Sequence, residues 1–203
     1  SIIDLITMLN LPSKGNIKVD GILLNDFQVK NWRNQIGYVS QDPIIFDDTI
    51  FNNISMRINK KNNKKIIQKV RDSARKANIL DFIESLPKKF NTKVGDRGLM
   101  LSGGQKQKLM IARELFREPN LLILDEATSS LDSRSELEIQ NSINSLMGSI
   151  TIIIIAHRLS TLKKVDKILV LEKGTIVETG RFNDLKLNNN SKFSQLSKIQ
   201  NIK

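Results

Sequence analysis

Residues 121–124, Leu-Leu-Ile-Leu, run straight into two adjacent carboxylates, Asp125 and Glu126. An apolar run without alternation predicts a strand covered on both faces, as in a parallel sheet flanked by helices. A second run, 150–156, repeats the arrangement and ends at His157, the only histidine in the chain. Ligands of open α/β sheets sit at the carboxyl ends of the strands. Asp125, Glu126 and His157 are therefore expected on one edge of one sheet.

Upstream, Leu101-Ser102-Gly103-Gly104-Gln105 opens a segment in which Leu109, Ile111, Ala112, Leu115 and Phe116 recur at helical spacing, with Pro119 as the stop. Gly103 and Gly104 leave the backbone bare, so an anion can approach closely. A helix N-terminus carries unpaired N–H donors and partial positive charge, which suits a phosphate, and Ser102 can add a hydroxyl. The two carboxylates suit different tasks. Asp125 can hold Mg²⁺ through water as a hard oxygen ligand. Glu126 can orient and activate an attacking water as general base. His157 can donate to a γ-phosphate or to that base. A Ser-Gly-Gly turn, an acid pair at a strand end or a lone histidine is more often structural when it stands alone. Their succession points to a nucleoside triphosphate, magnesium and hydrolysis.

In this order the strings resemble those of the ATP-hydrolysing domain of ATP-binding cassette (ABC) transporters. Residues 101–105 resemble the signature motif and 121–126 the Walker B motif. Ser129-Ser130-Leu131-Asp132 is similar to the D-loop, His157 to the switch histidine, and Gln41 in Gly-Tyr-Val-Ser-Gln to the Q-loop glutamine. The resemblance extends from residue 1 to about residue 185. Residues 42–50 with Asn53-Ile54, and 94–98, resemble the exporter branch. The resemblance implies a P-loop NTPase-like α/β fold, a mainly parallel sheet with a helical subdomain. It implies ATP and Mg²⁺ as ligands, with Gln41 near the metal alongside Asp125. It also implies two such domains head to tail, with Ser102, Gly103, Gly104 and Gln105 on the partner's γ-phosphate and Asp132 reaching across. The further partner is the transmembrane domain of an exporter, at the cytoplasmic face of the cell membrane. The family's Gly-rich loop, G-x-x-x-x-G-K-[ST], would end just before Ser1. The chain is therefore expected to be an N-terminally truncated piece of a longer protein, with Ser1 at the margin of the nucleotide site. A soluble ABC-family ATPase acting on nucleic acid or the translation machinery is the alternative, supported only by basic charge.

That charge is +11. Its clearest cluster, 60–65, continues through Lys69, Arg71, Arg75 and Lys76 without interleaved aromatics, so nucleic acid is not expected as a partner. Ile66, Ile67, Val70 and Ala74 recur there at helical spacing. This predicts an amphipathic helix with a solvated basic face; attraction to anionic lipid is the sharper reading. The chain has no cysteine, which excludes disulfides and thiolate metal sites. Its longest apolar run, 150–156, is far short of the ~20 residues of a spanning helix. Residues 1–41 and 117–180 are expected to form the core, 42–116 a mostly helical insertion, and 181–203 a polar tail broken at Asn188-Asn189-Asn190. Helices are expected near 49–55, 64–76, 79–85, 105–116 and 135–146, the last capped by Ser133-x-x-Glu136. Residues 2–9 should form a buried helix, apolar nearly all round. Trp32 and Tyr38 are expected to serve only packing or local contacts.

Overall fold

The computed structural model describes residues 2–25, 28–58, 63–128 and 131–200. The chain opens with a short helix α1 (Ile2–Ile6), a hairpin of β1 (Lys18–Val19) and β2 (Ile22–Leu23), and helix α2 (Val29–Asn34). The hairpin turns on Asp20 and Gly21, both at positive φ, the conformation that a two-residue hairpin loop demands. Strand β3 (Ile36–Val39) follows. Helices α3 (Ile50–Ser55), α4 (Lys64–Lys76), α5 (Leu80–Ser85) and α6 (Gly103–Phe116) come next, then β4 (Leu121–Asp125), α7 (Ser133–Leu146) and β5 (Thr151–Ile155). The chain closes with hairpin β6 (Ile168–Glu172) and β7 (Thr175–Gly180), then α8 (Phe182–Leu187) and α9 (Lys192–Ile199).

Strands β3, β4 and β5 form a parallel sheet in that order. The register sets Val39 beside Leu124 and Asp125 beside Ile155. All three strands therefore end at one edge, the edge predicted from the two apolar runs. Central β4 is buried from Leu121 through Leu124. Strand β5 departs from expectation. Thr151 is exposed and 152–155 are only partly covered, because among the described residues β5 pairs along one side alone. An open groove lined by Met147, Ile150, Ile152, Ile154, Val165 and Lys167 runs beside it.

Helix α6 is buried almost all round from Gln107 onward, packed against α3, α4 and β3. Its Arg113 lies inside this block. The guanidinium donates to the Asn53 carbonyl (2.7 Å), to Asn53 Oδ1 (2.7 Å) and to the Ile44 carbonyl (2.7 Å). It also lies 4.8 Å from the centre of the Phe46 ring. The segment after Gln41 is thereby fastened to the signature helix. On α4, Val70, Ser73 and Ala74 face the core, while Lys69, Arg71 and Arg75 pair with Glu118, Glu84 and Asp72. The amphipathic reading holds for this helix; Lys60, Lys61 and Asn62 lie outside the described residues.

Three expectations need correction. Helix α1 contains no buried residue: it is too short to be enclosed, and it rests one side on a cluster of Met8, Trp32, Ile36, Leu121 and Ile123. Trp32 Nε1 donates to the Ile6 carbonyl at 2.7 Å and Arg33 Nε to Thr7 at 3.0 Å, so α2 caps the end of α1. The cap of α7 is Asp132, whose Oδ1 accepts from the N–H groups of Arg134 (3.1 Å) and Ser135 (3.0 Å). Glu136 is drawn instead to Arg158 and Ser160. The region read as a polar tail forms α8 and α9, separated at the three asparagines.

Candidate functional site

Asp125 is the last residue of β4, and Glu126 continues with φ 50°. The left-handed region costs a side chain of this type roughly 1–2 kcal/mol. The turn is held by the Glu126 N–H donating to the Ile155 carbonyl at 3.0 Å. It directs the carboxylate sideways along the sheet edge, where Glu126 Oε1 lies 3.0 Å from His157 Nε2. The imidazole is 73% exposed and the carboxylate 24%. An acid anchored in the fold therefore meets a histidine open to an incoming ligand.

Asp125 has a partner that the sequence reading missed. The Tyr38 hydroxyl donates to Asp125 Oδ2 at 2.6 Å. Tyr38 sits beside Ile123 in the β3–β4 register, on the same face as Asp125, because side chains two apart on a strand share a face. The bond to Asp125 pushes the phenol up to about 12, with burial adding to it. The sequence offered only a tyrosine three residues before Gln41; its place beside Asp125 comes from the β3–β4 pairing.

The loop after His157 is held from α7. Arg158 binds Glu136, and its NH2 donates to the Leu131 carbonyl at 3.3 Å. Ser160 Oγ donates to Glu136 Oε1 at 3.2 Å, and Gln140 Nε2 donates to the Thr161 carbonyl at 3.1 Å. Glu136 and Gln140 of α7 thus brace the histidine loop, a role that no local motif announces.

The second cluster of predicted residues lies at the start of α6. Ser102 is the N-cap, its Oγ accepting from the Gln105 N–H (3.3 Å) while Gln105 Oε1 accepts from the Ser102 N–H (2.9 Å). This reciprocal pair is a capping box. The N–H groups of Gly103 and Gly104, orphans of the first turn, fall outside it. Ser102 and Gly103 are exposed and Gly104 is buried. A Cβ on Gly104 would come within 2.8 Å of Ser135 Cβ, and one on Gly103 within 3.2 Å of Leu131. These glycines therefore let α6 and α7 start side by side, a need additional to anion approach. Lys108 Nζ to Glu138 Oε2, 2.6 Å, ties the two helices in their second turns. Exposed Asp132 stands at the neighbouring helix start, its carboxyl held below the usual range by the Ser135 N–H and then by the Ser135 hydroxyl.

Gln41 follows β3 in the exposed loop at the sheet edge, and Gln107 of α6 donates to the preceding Ser40 carbonyl at 3.3 Å. Ser1, Ser129 and Ser130 lie outside the described residues. No group of three or more His, Cys, Asp or Glu side chains arranged to hold a metal ion occurs among the described residues. The donor set present suits Mg²⁺ bound by one carboxylate, waters and phosphate oxygens, since Tyr38 occupies only Oδ2 of Asp125.

This layout is that of an α/β domain with an acid–histidine pair at the carboxyl edge of its parallel sheet. A profile of the ABC transporter family matches residues 1–129, and the chain belongs to that family. It is 48% identical over 182 residues to the heterocyst differentiation ATP-binding protein HepA of Nostoc sp., covering 90% of this chain and 29% of that protein. It is 42% identical over 189 residues to the ATP-dependent lipid A-core flippase of Alkalilimnicola ehrlichii, covering 93% and 31%. P-glycoprotein 14 of Caenorhabditis elegans is 44% identical over 183 residues, covering 90% and 14%. A bacterial Atm1-family ABC exporter solved with ATP bound superposes with a TM-score of 0.85 at 37% identity, covering all of this chain and 35% of that one. The chain spans about a third or less of the length of these relatives. Among the described residues no helix is long and apolar enough to cross a membrane.

Proposed function

We propose that this chain is the hydrolytic part of an ABC exporter's ATPase domain, working as one of two facing copies on the cytoplasmic side of a membrane. The observation that carries this reading is the Glu126–His157 pair, 3.0 Å apart at the carboxyl edge of a parallel sheet and next to Asp125.

Phosphoryl transfer is accelerated mainly by positioning and charge neutralisation. Glu126, fixed by its backbone turn, orients the attacking water and accepts its proton. His157 holds the carboxylate on one side and offers its exposed face to the terminal phosphate. Asp125, oriented by Tyr38, fits Mg²⁺ through its free oxygen, with Gln41 in the adjoining loop. When bound, the cation supplies neutralisation of phosphate charge. Exposed Ser102 and Gly103, with half-buried Gln105 and the backbone of buried Gly104, serve a nucleotide held by a second domain, and Asp132 lies beside them for the same interface. Arg113 fastens α6 to the 44–53 segment, so movement of the signature helix would be passed to a transmembrane partner seated there. The open side of β5 is where a further strand, leading into a Gly-rich phosphate loop, would complete the sheet.

The test is Glu126→Gln in the full-length protein. ATP binding should persist and the closed dimer accumulate, while phosphate release falls by about a hundredfold or more, the scale of a lost general base. Turnover near that of the unaltered protein would remove Glu126 from this role.

A further inference from the structure

Helix α9 lies far along the chain from the acid pair, yet the side chain of its C-cap residue, Gln200, touches the histidine loop. Gln200 Nε2 donates to the His157 carbonyl at 2.7 Å, and Gln200 Oε1 accepts from the Leu159 N–H at 2.9 Å. One amide thus bridges both sides of the peptide segment that carries the imidazole. Only one orientation of that amide satisfies both bonds, since the carbonyl must face an N–H and the amine a carbonyl.

The helix delivering Gln200 is itself anchored. At its start, Glu178 of β7 accepts from the N–H of Phe193 at 3.1 Å, and Ser191 caps the first turn through the Ser194 N–H at 2.8 Å. Phe193 is 1% exposed and meets Phe182 edge to face at 5.4 Å. Leu159, whose N–H Gln200 takes, belongs to the same small core, with Ile168, Val170, Phe182 and Leu185. The C-terminal hairpin and helices therefore form one block, and that block grips the chain on either side of Arg158. From α7, Arg158, Ser160 and Thr161 are held independently. The His157 carbonyl is held by Gln200.

We propose that Gln200 is a positioning residue that sets His157 beside Glu126, coupling the C-terminal helix to the hydrolytic pair. This rests on the reading of His157 given above. Movement of α9, by a partner or by the closing of two copies, would then shift the imidazole without touching nucleotide.

The lone histidine makes the test clean, because its ring gives one set of nuclear magnetic resonance signals. Gln200→Met keeps the length and removes both polar atoms; Gln200→Glu keeps the acceptor for Leu159 and removes the donor to His157. Gln195→Met, on an exposed position of the same helix, is the control. In this chain, Gln200→Met should speed Leu159 amide exchange roughly fivefold or more, the scale of one lost hydrogen bond, and shift the His157 ring signals. Gln200→Glu should shift the ring while sparing Leu159, and Gln195→Met should do neither. In the full-length protein, Gln200→Met should lower kcat for ATP about tenfold with KM little changed, as for a group acting only in the reacting complex. Unmoved ring signals, or faster Leu159 exchange with kcat unchanged, would overturn the coupling. His157→Ala separates the two readings. If it leaves hydrolysis intact, the role of His157 fails; if it abolishes hydrolysis while Gln200→Met does not impair it, only the coupling fails.

Discussion

At the sheet edge the functional side chains bind one another: Tyr38 holds Asp125 and Glu126 faces His157. At the starts of α6 and α7 the corresponding side chains bind their own backbone. Ser102 and Gln105 cap α6, and Asp132 caps α7. The first arrangement fixes the groups proposed to react before any ligand arrives, which is how a site gains from preorganisation. The second keeps two helix ends stable while leaving the N–H groups of Gly103 and Gly104 outside the capping box of α6. Damage to the sheet edge should therefore appear in turnover and leave the fold alone, whereas damage to the helix starts should appear first in stability.

The largest contrast is expected from His157→Ala. The imidazole is 73% exposed, so its loss removes little packing. In the full-length protein, steady-state phosphate release should fall by about a hundredfold or more, with the thermal midpoint unchanged. Equal turnover would place His157 among structural residues; a large fall in midpoint would undo the division between the two regions.

Gly104→Ala probes the other side. Alanine favours a helix interior by up to about 1 kcal/mol over glycine. Here its Cβ would sit 2.8 Å from Ser135 Cβ, and that atom is not the far end of a flexible side chain. Overpacking of this kind costs about 1–3 kcal/mol, so net destabilisation is expected in urea unfolding, with recovery in Gly104→Ala/Ser135→Gly. Unchanged stability would mean that the glycine serves only the approach of a phosphate.

The parallel sheet and the sheet-edge residues were legible because burial on both faces leaves an unbroken apolar string, and such strings end at the edge where open α/β sheets bind their ligands. The helix lengths followed from periodicity: Lys64–Lys76 is bounded as expected. What stayed illegible depends on distance along the chain. Tyr38 looks like packing until β3 is laid beside β4. The capping-box reading of Ser133 and Glu136 failed because Asp132 is the N-cap, while Glu136 meets Arg158 from far along the chain. Gly103 and Gly104 were read for an anion; their proximity to Leu131 and Ser135 exists only once α6 and α7 are docked. The coverage of β5 likewise depends on which strand lies beside it.

The smallest effect concerns Tyr38, and it tests whether the sheet edge is set in advance. Tyr38 is the only tyrosine in the chain, so tyrosinate absorbance follows it alone. Its pKa is raised from 10.0 to about 12, first by the hydrogen bond to Asp125, then by burial and the nearby carboxylate charge. A phenol loses its donor proton when it ionises, so the folded state favours the protonated form. The stability contributed is complete below pH about 10 and is lost as pH rises through about 12. Tyr38→Phe should abolish that alkaline loss while leaving stability at neutral pH little changed, since the pair is partly open to solvent and screened. Asp125→Asn should return the absorbance midpoint toward 10.0, because it removes the charged acceptor that dominates the shift. A midpoint near 10.0 in the unaltered chain would show that Tyr38 and Asp125 are apart in solution. Asp125 would then be oriented only on meeting its ligand, and the sheet edge would lose the trait that distinguishes it from the helix starts.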